Sequence, residues 1–141
     1  MKLSIDILAH NEANSLPILL STLCQQSLLK IQNQEKKIEI IVVLNGCIDN
    51  TDAAARNTLE QLTIQSYRIS WTWKVCEVSE AGKSNAWNLF VHQSASVASD
   101  FFCLMDADIQ LHDSFALEKM LDVLRKRPEY WIALDRPIKD V

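Results

Sequence analysis

Asp106 and Asp108 stand two residues apart at the end of a short apolar run, Phe101 to Met105. Carboxylates at that spacing can point the same way past a strand end, and they repel one another unless a cation lies between or near them. A hard divalent ion such as Mg²⁺ or Mn²⁺ meets that need, because it takes one or two carboxylates and completes its shell with water and phosphate oxygens. A solvated turn or a helix cap is the plainer reading of an Asp-x-Asp triplet; the position after a buried run favours the metal. Gly82-Lys83-Ser84-Asn85 offers a second chemistry. Free backbone N–H groups at a helix start, beside one cation, are the components of an anion site. The spacing is not that of a phosphate-binding P-loop, and an ordinary turn with a solvated lysine is the alternative. Two more polar clusters, His10-Asn11-Glu12 and Asn45-Gly46-Cys47-Ile48-Asp49, also follow apolar runs.

Those clusters need elements to carry them. Short apolar runs recur along the chain, each followed by a helical stretch, which predicts βαβ units and a parallel sheet flanked by helices. Leu3 to Ala9 reads as the first strand; Pro17 then suits the first turn of a helix with Leu16, Leu19, Leu20 and Leu23 on one face. Ile38 to Leu44 is almost continuously apolar, as a strand covered on both faces should be. The Asp49-Asn50-Thr51-Asp52 cluster caps the next helix, whose buried stripe is Ala55, Leu59 and Leu62. Ile69, Trp71, Trp73 and Val75 alternate with polar residues, predicting a half-exposed strand near the sheet edge. A third helix starts near Gly82, and Phe101 to Met105 forms the strand before Asp106. Asp113 or Ser114 then caps a helix carrying Leu117, Met120, Leu121 and Leu124, ended by Pro128. Tyr130 to Leu134 reads as a fifth strand. Because open parallel sheets bind ligands beyond the carboxyl ends of their strands, the polar clusters at four strand ends face one crevice. Strand ends are polar in many α/β proteins, which is the competing explanation for any one of them.

Composition narrows the function. The chain has 141 residues, 48% hydrophobic, which suits one domain with a single core. A net charge of -4 and the lack of a Lys/Arg run provide no field for nucleic acid. Cys24, Cys47, Cys76 and Cys103 are too widely spaced for a metal or redox motif and read as buried reduced thiols. The first residues show no basic segment leading into a long apolar one, so a cytoplasmic protein is expected. No apolar run approaches the roughly 20 residues of a membrane span, leaving membrane association to a native chain that continues past Val141. His10, His92 and His112 read first as structural groups, with nucleotide contact the alternative for His10. Trp71 and Trp73 read as packing residues, and the charges from Glu118 to Arg127 as the solvated face of the fourth helix.

Taken in order, four segments resemble the family 2 glycosyltransferases of GT-A type. Ser4 to Glu12 is similar to that family's opening strand with its Asn-Glu end, and Ile40 to Thr51 to its second strand and Asp-Gly-Ser-x-Asp-x-Thr loop. Glu80-Ala81-Gly82-Lys83-Ser84-Asn85-Ala86-Trp87-Asn88 resembles the stretch where Gly, a basic residue, Ala and Asn recur. Phe102 to Asp108 resembles the strand ending in Asp-x-Asp. Asn45 stands where Asp is common and Cys47 where Ser is usual.

The resemblance implies a GT-A, Rossmann-like, mostly parallel sheet in a single domain over residues 1–141. It covers the donor-binding half, with the acceptor side and the general base expected beyond Val141. It implies inverting, metal-assisted transfer of a sugar from a UDP- or GDP-linked donor to a hydroxyl of a glycan, lipid or small molecule. Asn11, Glu12, Asn45, Asp49, Lys83 and Asp106 would bind the donor, and Asp106 and Asp108 the Mg²⁺ or Mn²⁺. Three alternatives stay open: nucleotide-sugar binding without transfer, a nucleotidyltransferase on a related sheet, and a non-catalytic interaction module. A half-domain would leave an apolar sheet edge uncovered, which allows homo-oligomers.

Overall fold

A computed structural model describes residues 1–30, 33–66, 71–78, 82–95 and 98–134. Four parallel strands form one sheet in the order β3-β2-β1-β4: β1 Lys2–Ala9, β2 Lys37–Asn45, β3 Trp71–Val78 and β4 Phe101–Asp106. The helices are α1 Leu16–Cys24, α2 Ser27–Lys30, α3 Thr51–Gln65, α4 Lys83–Leu89 and α5 Ala116–Lys126. A wider, π-type turn over Phe90–Ser94 continues α4.

Hydrophobic alternation sorts the sheet into two faces. Leu3, Ile5, Ile7 and Ala9 of β1 and Ile38, Ile40, Val42 and Leu44 of β2 meet the leucine face of α1, Ala55 and Leu59 of α3, and Leu117 and Leu121 of α5. Leu16, Leu19, Leu20 and Leu23 are all fully buried there, and Pro17 occupies the first turn of α1 as expected. Leu8, Ile41 and Val43 point the other way, onto Ala86 and Phe90. The central strands are therefore buried on both sides, which is why β2 reads as an almost continuous apolar run, while β1 carries two buried polar residues, Ser4 and Asp6.

β3 lies at the edge. Trp71 is buried and the Trp73 Nε1–H donates to Thr63 Oγ1 of α3 at 3.1 Å, so both rings pack on a helix. The start proposed for this strand at Ile69 lies outside the described residues, and its end extends to Val78.

Three expectations are corrected. Tyr130 to Leu134 forms no strand; it is an exposed segment with Trp131 at 90% exposure, because apolar content alone supplies no edge to pair with. β4 is covered only in part on its second side: Met105 is buried, whereas Phe102, edge-on to Phe90 at 5.8 Å, and Leu104 stay partly exposed. The N-cap position of α5 is Phe115, not Asp113 or Ser114. Asp113 acts just outside the helix, accepting the Phe115 N–H at 2.8 Å through its carboxylate and the Ala116 N–H through its carbonyl.

Buried Gln26 ties that helix start to α2. Its Nε2 donates to the Asp113 carbonyl at 2.8 Å and its Oε1 accepts the Leu117 N–H at 3.1 Å, so both ends of the amide are satisfied. Glu118 is not simply solvated either, since it accepts the Ser27 hydroxyl at 2.6 Å.

Candidate functional site

Parallel β1, β2 and β4 end at nearly the same height, since Leu8 pairs with Val43 and with Asp106. The residues that follow each strand therefore meet. A cleft of about 200 Å³ opens there, floored by Leu8 and Ala107 and walled by His10, Glu12, Asn45, Lys83, Asp106 and Asp108. Ligand sites for drug-sized molecules run from about 300 Å³ upward, so these walls enclose only part of such a ligand.

The Asp-x-Asp pair is set by the sheet. Ala107 extends the β1–β4 ladder by donating its N–H to the Leu8 carbonyl at 3.0 Å, and its side chain is buried. Alternation then leaves Asp106 and Asp108 exposed on either side of it. The Lys83 ammonium lies 2.8 Å from Asp106 Oδ1 and 3.1 Å from Oδ2, so a cation is already accommodated on this carboxylate. Two carboxylates at an open edge suit a hard ion that keeps water and phosphate oxygens in its shell. Among the described residues there is no cluster of three or more His, Cys, Asp or Glu to hold a metal by protein ligands alone.

Lys83 owes its position to Asn45. Gly82, at φ +145°, precedes α4 and donates its N–H to Asn45 Oδ1 at 2.8 Å. A side chain at Gly82 would be strained at that φ and would approach Asn85 Nδ2 to 3.3 Å. The Asn45 oxygen is engaged by that bond, and its amide carries N–H donors that an aspartate at this position would lack. The Lys83 ammonium also rests 5.7 Å from the centre of the Trp87 ring. Glu80 and Ala81, part of the same sequence segment, lie outside the described residues.

Asn11 and Asp49 are drawn into a loop network beside the cleft. Asn11, at φ 51°, accepts the Ile48 N–H at 2.9 Å and the Asp49 N–H at 3.4 Å. Asp49 accepts the backbone N–H and hydroxyl of buried Thr51, and the Ala13 N–H at 3.4 Å; Thr51 in turn accepts the Glu12 N–H at 3.0 Å. The Thr51 hydroxyl is the chief cause that holds the Asp49 carboxyl below its ordinary range, with the Thr51 and Ala13 N–H groups adding to it. Of the sequence candidates, the structure brings Glu12, Asn45, Lys83, Asp106 and Asp108 to the cleft, while Asn11 and Asp49 brace its rim. His10 does both things its position allows: its Nδ1 bonds the Asn45 carbonyl at 2.6 Å, a structural tie, and the residue also walls the cleft.

Asp6 carried no functional expectation. It is fully buried on the face of β1 that also carries Leu8, and neither carboxylate oxygen has a hydrogen-bond partner. Burial, reinforced by the charge of Asp106, pushes its pKa up to about 7. A lone acid inside Ile5-Asp6-Ile7 was the available signal.

No curated protein matches the chain. Among solved structures, a mannosyltransferase, PcManGT from Pyrobaculum calidifontis in complex with GDP-Man and Mn²⁺, is similar at 20% identity with a TM-score of 0.71, over 86% of this chain and 32% of its own. S. aureus TarS is similar at 18% identity and TM-score 0.67, over 91% of this chain and 20% of its own. TarS 1–349 in complex with UDP-GlcNAc gives 19% and 0.64, over 91% of this chain and 32% of its own. The chain thus spans a third or less of these structures, and the likeness establishes a shared α/β fold of the GT-A type. The pattern of glycosyl transferase family 2 matches residues 4–140, and the chain belongs to that family.

Proposed function

We propose that this chain is the donor-binding half of an inverting, metal-assisted glycosyltransferase that takes a UDP- or GDP-linked sugar. The observation that carries the reading is a single cleft at the strand ends in which Lys83 lies against Asp106, beside Asp108, Glu12 and Asn45. That set offers a cation for a diphosphate, carboxylates for a divalent ion and hydrogen-bonding groups for a nucleoside. The GDP-Man with Mn²⁺ and the UDP-GlcNAc of the similar structures support that donor class.

Asp106 and Asp108 would hold Mg²⁺ or Mn²⁺, which when bound acts as a Lewis acid on the diphosphate as charge builds there. Lys83 brings a second positive charge within reach of the same oxygens. Asn45, with its carbonyl oxygen held by Gly82, donates to an acceptor atom on base or ribose, and Glu12 supplies an acceptor across the cleft. Asn11 and Asp49 keep the rim in shape.

Transfer needs an acceptor hydroxyl and a general base to deprotonate it. In this reading both belong to a segment beyond residue 141, in keeping with the greater length of the similar structures. The acceptor is a hydroxyl of a glycan, lipid or small molecule. In this reading the protein works in the cytoplasm. Exposed Phe102 and Leu104 on β4 supply an apolar surface for association of copies. Among the described residues no helix is long and apolar enough to cross a membrane.

Calorimetric titration of UDP and GDP, each with and without Mn²⁺, tests the reading on the wild type and on Asp106→Asn/Asp108→Asn. The proposal expects metal-dependent binding that the double substitution abolishes. Equal binding by both proteins, or none by folded wild type, would overturn it. Binding without any donor hydrolysis or transfer would favour a donor-binding domain that does not act alone.

A further inference from the structure

We propose that Lys83 is a built-in counter-cation that occupies Asp106 in the donor-free protein and so weakens divalent-cation binding until a nucleoside diphosphate is present. The inference rests on the reading that Asp106 and Asp108 hold the metal.

The geometry is specific. The ammonium contacts both oxygens of the Asp106 carboxylate, at 2.8 and 3.1 Å. A divalent ion using that carboxylate must take at least one of those oxygens, and it then stands within a few ångströms of a like charge. Either Lys83 leaves or the ion binds weakly. A diphosphate removes the conflict, since it gives Lys83 another anion to pair with and gives the metal further oxygen ligands. Nucleotide and metal then bind with positive coupling, each strengthening the other.

Two positioning residues hold Lys83 in place without fixing it. Asn45 Oδ1 takes the Gly82 N–H at 2.8 Å, anchoring the backbone from which the side chain springs. Trp87, one helical turn along α4, backs the ammonium at 5.7 Å. The Lys83 side chain remains 54% exposed, so it can swing from carboxylate to diphosphate without disturbing the core. Asn45 also walls the cleft, so a ligand seated against its amide touches the residue that anchors the base of the lysine.

A half-exposed pair of this kind contributes up to about 1 kcal/mol, which corresponds to about fivefold in affinity. The test is Mn²⁺ alone, titrated into wild type, Lys83→Met and Lys83→Arg, with free Mn²⁺ followed by electron paramagnetic resonance and the series repeated with saturating UDP or GDP. Lys83→Met should bind Mn²⁺ alone about fivefold more tightly than wild type, whereas Lys83→Arg, which keeps the cation, should bind as weakly as wild type. Nucleotide should tighten Mn²⁺ binding more in wild type than in Lys83→Met. If Lys83→Met gains nothing while wild type still takes up Mn²⁺ with nucleotide, the counter-cation role is wrong and the donor-site reading stands. If no variant takes up Mn²⁺ with or without nucleotide, both are wrong.

Discussion

Replacing Asp6 with asparagine keeps the shape of the side chain and removes its ability to ionise, so the substitution isolates the free energy of a buried charge. Asp6 is fully buried, and neither carboxylate oxygen has a hydrogen-bond partner. Burial first, and the nearby charge of Asp106 second, raise its pKa from the ordinary 3.8 to about 7. Between those values the folded protein holds a proton that the unfolded chain has released. Stability therefore falls as pH rises through that window, and the loss is complete above the folded value. At 1.36 kcal/mol for each pKa unit, the shift corresponds to about 4 kcal/mol between pH 4 and pH 8. The asparagine amide carries its own cost of about 1–3 kcal/mol for unmade hydrogen bonds, but that cost does not vary with pH. The informative quantity is thus the stability of Asp6→Asn minus that of wild type, measured by urea unfolding with tryptophan fluorescence from pH 4 to pH 8.5. This difference should grow in favour of the variant by about 4 kcal/mol across the window. Parallel curves, differing by a constant, would show that Asp6 does not titrate as a buried, unpartnered acid and would refute the reasoning.

Gln26→Ala should destabilise the fold by about 1–3 kcal/mol, because the Asp113 carbonyl and the Leu117 N–H lose their buried partner; thermal unfolding checks this. Gly82→Ala should cost about 1–3 kcal/mol from backbone strain at φ +145° and weaken nucleotide binding by displacing Lys83, read by urea unfolding and by calorimetry respectively. Burial pushes the thiols of Cys24 and Cys103 up to about 12, so both should stay unmodified by iodoacetamide at pH 8 in the folded protein and react after unfolding, as followed by peptide mass spectrometry.

The features legible in the sequence are those with one physical solution. An almost continuous apolar run such as Ile38 to Leu44 has to be buried on both sides, and β2 is, apart from half-buried Glu39. Four leucines at helical spacing after Pro17 must share a face, and α1 buries all of them. Polar clusters that follow such runs fall at one end of a parallel sheet, which brings Glu12, Asn45, Lys83, Asp106 and Asp108 together. The failures occur where residue type leaves two solutions. Phe101 to Met105 is equally apolar whether one face or two are covered, and here Phe102 and Leu104 are exposed. Tyr130 to Leu134 has strand-forming residues, but a strand also needs an edge to pair with. The loops are a different case: Asn11 and Asp49 accept neighbouring N–H groups beside the cleft, and that bracing is compatible with the donor contact proposed for them. Asn45 lines the cleft while its oxygen accepts the Gly82 N–H, so one side chain serves both the fold and the site.

If the proposed function holds, this cleft takes a nucleoside diphosphate and a divalent cation together. Crystals grown with Mn²⁺ and either UDP or GDP test it through the anomalous signal of the metal. The expected result is a peak within coordination distance of Asp106 or Asp108, shared with the diphosphate, and Lys83 turned from Asp106 toward a phosphate oxygen. A nucleotide bound away from these residues, or manganese on other ligands with Lys83 still on Asp106, would contradict it.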